Sequence, residues 1–63
     1  MEYLKKFRLS LNLTYQEFAD SIGVSKSLYA KVERGERKPS RQFTEKLKKT
    51  YPQFDINIFY AYL

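Results

Sequence analysis

Sixty-three residues allow one small domain, expected over 1–63, and a chain this short buries only about 60% of the surface its unfolded form exposes. With no Cys and no His, disulfide frameworks, zinc sites and cysteine or histidine catalysis are excluded, and no cofactor is expected. Twelve Lys and Arg against seven Asp and Glu leave a net charge of +5, which points to an anionic partner. No apolar run approaches the roughly 18 residues of a membrane span. The segment Met1–Lys6 has no apolar stretch behind its basic start, so it is not a signal peptide, and a cytoplasmic location is expected.

Apolar residues recur at spacings of three and four, the signature of helices. Leu4, Phe7 and Leu11 share one face of a first helix that ends at Asn12. Thr14 followed by Glu17 has the spacing of a capping box, with Leu13 and Phe18 placed as its hydrophobic staple. Phe18, Ala19 and Ile22 line a second helix that stops at Gly23. Ser25 caps a third, running from Lys26 to about Arg34 with Leu28, Tyr29 and Val32 as its apolar positions, and Gly35 ends it. Pro39 breaks the charged connector Glu36–Pro39. Ser40 then caps a fourth helix carrying Phe43, Leu47 and Tyr51, and Pro52 stops it. Asp55 opens a short apolar fifth helix. The expected fold is an all-α, compact five-helix bundle.

The positive charge is concentrated. Residues 25–49 hold nine cations against Glu33, Glu36 and Glu45, whereas residues 14–24 hold only Glu17 and Asp20. A solvated face that keeps a small protein soluble is the plain reading of such a stretch. Its position argues for more. Two short helices meet through Gly23-Val24-Ser25, and the second is cationic. That is the arrangement of a helix-turn-helix, whose second helix enters the DNA major groove. Catalysis has no comparable support: the carboxylates are scattered, and the two glycines are too far apart for a phosphate loop. The chain is not expected to be an enzyme.

The segment from Leu4 to Gly35 resembles the DNA-binding domain of phage lambda-type repressors and Cro proteins, the xenobiotic-response-element family of regulators. The resemblance rests on Leu4-Lys5-Lys6-Phe7-Arg8, Thr14-Tyr15-Gln16-Glu17-Phe18-Ala19, Ile22-Gly23-Val24-Ser25-Lys26-Ser27-Leu28-Tyr29 and Val32-Glu33-Arg34-Gly35, followed by Arg37-Lys38-Pro39-Ser40. It implies a DNA-binding transcriptional regulator with five helices, binding double-stranded DNA as a homodimer. An antitoxin or protein-binding helical module with a protein partner is the alternative from another class.

The resemblance also implies roles. Arg8 and Glu33 match positions that form an ion pair between the first and third helices. Lys26, Ser27 and Lys31 match the base-reading positions; lysines donate to guanine O6 and N7, serine to almost any base. Thr14, Tyr15, Arg34, Arg37, Lys38 and Arg41 are the phosphate candidates, the first two at a helix N-terminus that favours an anion. Tyr15 stands where members often carry glutamine. Leu28 replaces a small polar residue, to meet either a thymine methyl or the core. Arg41 and Thr44 stand where the fourth helix is usually apolar, so that helix is expected to be rotated or shifted. The apolar tail is expected to leave an exposed patch, with Phe59, Tyr62 and Leu63 as a dimer interface.

Overall fold

Short side-chain caps, and not helix propensity, set where three of the helices begin. The computed structural model describes residues 1–62, with side chains through Phe59. Its helices are α1 (Glu2–Ser10), α2 (Tyr15–Ile22), α3 (Lys26–Glu33) and α4 (Arg41–Thr50). Thr14, Ser25 and Ser40 cap the last three, each side-chain oxygen accepting the backbone N–H three residues on. The capping box at α2 is complete: Glu17 N–H donates to Thr14 Oγ1 at 3.1 Å, and Thr14 N–H donates to Glu17 Oε1 at 2.9 Å. Helices this short are marginal alone, so packing of their apolar faces has to supply the remainder.

That packing is largely aromatic. Phe18 and Tyr29 sit at the centre with ring centroids 4.8 Å apart, and Tyr51 stacks on Phe18 at 5.1 Å. Phe43 and Leu47 bring α4 onto this core, while Leu4 brings α1. On α4 the inward residues are thus Phe43 and Leu47; Arg41 is exposed and Thr44 half-buried. Tyr51 also bonds Ser21 through their hydroxyls at 2.7 Å, and Lys46 Nζ donates to Gly23 O at 3.3 Å. Both contacts hold α4 against the carbonyl end of α2.

Two expectations about the tail are corrected. Four α-helices form among the described residues, and Ile56–Tyr62 is a 3-10 helix instead of a fifth α-helix. Ile58 N–H donates to Asp55 O three residues back at 3.3 Å, and Asn57 N–H donates to Asp55 Oδ1 at 3.0 Å. The three-residue period stacks Ile56 and Phe59 on one side, which is the side that meets the core. Phe59 is therefore not an exposed interface residue. It is 2% exposed, wedged between Phe54 at 5.4 Å and Phe43 at 6.3 Å. The other two tail positions assigned to an interface, the Tyr62 side chain and Leu63, lie outside the described residues.

Candidate nucleic-acid interface

The joint between α2 and α3 consists of three residues. Gly23 adopts φ +79°, and its N–H and that of Val24 return to Asp20 O and Ala19 O. A Cβ at Gly23 would meet nothing within 4 Å, so the requirement is the left-handed backbone and not crowding. Val24 is half-buried beneath the turn and packs on the core. The turn directs α3 so that Tyr29, Val32 and Glu33 face inward. Ser27, Lys31 and Arg34 consequently form the outward stripe, at i, i+4 and i+7, with Lys26 beside them in the first turn. All four are exposed. Leu28 is half-buried against the core, at the edge of that stripe.

Cations continue past the end of α3. Gly35 reverses the chain at φ +78°, and the N–H groups of Glu36 and Arg37 both return to Lys31 O, at 2.8 and 3.2 Å. This fastens the connector to the outward stripe. Arg37 and Lys38 are exposed and have no salt-bridge partner among the described residues. Arg34 and Arg41 do have one each: Arg34 Nε lies 2.8 Å from Glu36 Oε2, and Arg41 Nε lies 3.1 Å from Glu45 Oε1. A short helix, a left-handed glycine turn and a second, outward-cationic helix are now fixed in space. A family model described as helix-turn-helix matches residues 4–52, most of the chain. The chain belongs to the Cro and C1 type of helix-turn-helix family. This is a family of DNA-binding transcription regulators, typically without enzymatic activity. No curated protein and no solved structure matches the chain. No helix among the described residues is long and apolar enough to cross a membrane.

A buried polar cluster ties α3 to α1. Arg8 of α1 donates from Nε to Glu33 Oε1 at 2.8 Å, more loosely from Nη2 to Oε2 at 3.4 Å, and from Nη1 to Leu13 O at 2.8 Å. Tyr29 donates its hydroxyl to Glu33 Oε1 at 2.9 Å. No buried side-chain polar atom among the described residues lacks a partner. Burial opposes the charged carboxylate of Glu33, but the bonds from Arg8 and Tyr29 outweigh it and hold its pKa below the ordinary value. Burial first, and the bond to Glu33 second, push the Tyr29 phenol well above its own. The bond to Glu33 likewise raises Arg8 despite its burial.

Tyr29 is the member that reading the sequence for function missed. Its spacing of four from Glu33 on one helix was the available signal. The ring of Tyr15, a phosphate candidate by position, packs against the Arg8 guanidinium, 4.5 Å to the centroid, and meets Tyr29 edge-on at 6.0 Å. Its side chain thus covers the buried cluster. What the α2 N-terminus offers an anion is the backbone N–H of Tyr15 and Gln16, along with the hydroxyl proton of Thr14, whose oxygen already accepts from Glu17.

Proposed function

We propose that this protein is a sequence-specific regulator that lays α3 in the major groove of an operator and controls transcription by occupying it. The observation carrying the proposal is the composition of the outward face of α3. Lys26, Ser27 and Lys31 are exposed together, and the single acid of the helix, Glu33, is turned inward and neutralised by Arg8. From α3 itself an anionic duplex therefore meets no carboxylate. In this reading Lys26 and Lys31 read guanine edges, and Ser27 an adjacent base. Arg37, Lys38 and Arg41 hold one strand's phosphates, and the start of α2, at Thr14 and the Tyr15 N–H, holds those across the groove. Two copies on a two-fold operator would place their α3 helices about 34 Å apart, with Phe59 taking no part in the pairing.

Selection from a pool of random duplexes, followed by gel shifts over a salt series, tests this. A sequence consensus is expected, with log affinity falling by about 0.9 per phosphate contact for each unit of log salt. Binding without a consensus, or with a flat salt response, would remove α3 from the groove.

A further inference from the structure

Arg34 lies on the same outward stripe as Ser27 and Lys31, and charge alone would enrol it among the DNA contacts. Its guanidinium is already engaged. Nε meets Glu36 Oε2 at 2.8 Å, and Nη2 meets Oε1 at 3.5 Å, so both carboxylate oxygens face one edge of the fork. A phosphate would present two oxygens to the same edge in the same way. Glu36 is not free to leave by moving its backbone, because its N–H is fastened to Lys31 O at 2.8 Å and the chain is reversed at Gly35. Arg41 differs. It has one contact at 3.1 Å, its side chain is 92% exposed, and Glu45 is a helical neighbour four residues on. Arg34 and Glu36 are each only about half exposed, at 52% and 54%.

We propose that Glu36 is a phosphate mimic that withholds Arg34 from the DNA backbone and so lowers the sequence-independent part of the affinity. The inference rests on the α3 reading above and refines it: of the cations on that face, Arg34 is the one the protein keeps for itself. Base contacts from Lys26, Ser27 and Lys31 are then a larger share of the total than the charge of the face suggests. Glu36 has the position for this role, since between Lys26 and Thr44 the only other acid, Glu33, is buried and bonded to Arg8 and Tyr29.

Four proteins measured over a salt series on one random-sequence duplex test the idea: the wild type, Glu36→Gln, Arg34→Ala and the double variant. Glu36→Gln should steepen the log-affinity against log-salt slope by about 0.9, one added phosphate. Its advantage over the wild type should accordingly grow about 3.5-fold between about 200 and about 50 mM salt. Arg34→Ala alone should leave the wild-type slope nearly unchanged, and the gain from Glu36→Gln should vanish in its presence. An unchanged gain in the Arg34→Ala background would mean that Glu36 acts only as bulk negative charge, and the proposal fails. It also fails if Arg34→Ala by itself flattens the slope by a full phosphate. Should the wild type show no salt-dependent binding at all, the fault lies with the α3 reading, so the two failures are told apart.

Discussion

Two ion pairs in this small domain have the same closest distance, 2.8 Å, and opposite uses. Arg8–Glu33 has side-chain exposures of 10% and 2%, while Arg34–Glu36 has 52% and 54%. The first is surrounded by Tyr29, Tyr15 and the Leu13 carbonyl, so neither charge has water to return to if the other is removed. The second is about half open to solvent, which screens it, and an exposed pair of this kind contributes only about 0–1 kcal/mol. Contact distance therefore says little about what a salt bridge does. Surroundings decide: the buried pair fixes how α3 is held, and the exposed pair sets which cations α3 has available.

The largest effect comes from breaking the buried side of that comparison. Glu33→Ala should cost about 3–5 kcal/mol of folding stability, read by urea or thermal denaturation, because Arg8 is left charged and unpaired. Arg8→Ala combined with Glu33→Ala should lose less than the two single losses together, whereas strict additivity would mean the side chains do not couple.

Acid should sharpen the same contrast. Glu33 titrates below its ordinary value of 4.5 in the folded protein, so between the two values the unfolded chain binds more protons. Its contribution is fully present above pH 4.5 and is lost as the pH falls through the folded value. At the other extreme, Tyr29 is raised above 10.0, so stability is retained below pH 10 and lost as the pH climbs beyond it. Denaturation midpoints across pH should fall at both ends, and the Glu33→Ala variant, if stabilised by an osmolyte, should lose much of the acid limb.

The smallest effect on folding belongs to the exposed pair. Glu36→Gln should change stability by no more than about 0.5 kcal/mol in the same melts. A loss like that of Glu33→Ala would erase the distinction between the pairs.

The legible part of the fold was the part written in local chemistry. Thr14 with Glu17, Ser25, Ser40, Gly23 and Gly35 each act within a few residues of their own position, and a capping oxygen or a left-handed glycine is visible in sequence. The Arg8–Glu33 pair spans 25 residues, and it was reached through the family pattern, since helix periodicity gives no reason to pair two residues so far apart. The failures share a cause. Phe59 looked like surplus apolar surface because the count of tail residues does not reveal how much core four short helices leave open. Phe54 and Phe59 fill that space, and a 3-10 period suits it. Tyr15 is different: its backbone N–H keeps the place a helix start gives it, while the guanidinium of Arg8 on another helix engages its ring, a contact that no local pattern shows.

The outward face of α3 is the centre of the account, and Lys31 is the residue that tests it most directly. Lys31→Ala should be compared with the wild type on the selected operator and on that operator mutated at each base in turn. A loss of about 1–3 kcal/mol on the operator, with discrimination relaxed at one base position and kept elsewhere, is the expected result. An equal loss on every sequence would make Lys31 a phosphate contact, and no loss on any would contradict the placement of α3 in the groove.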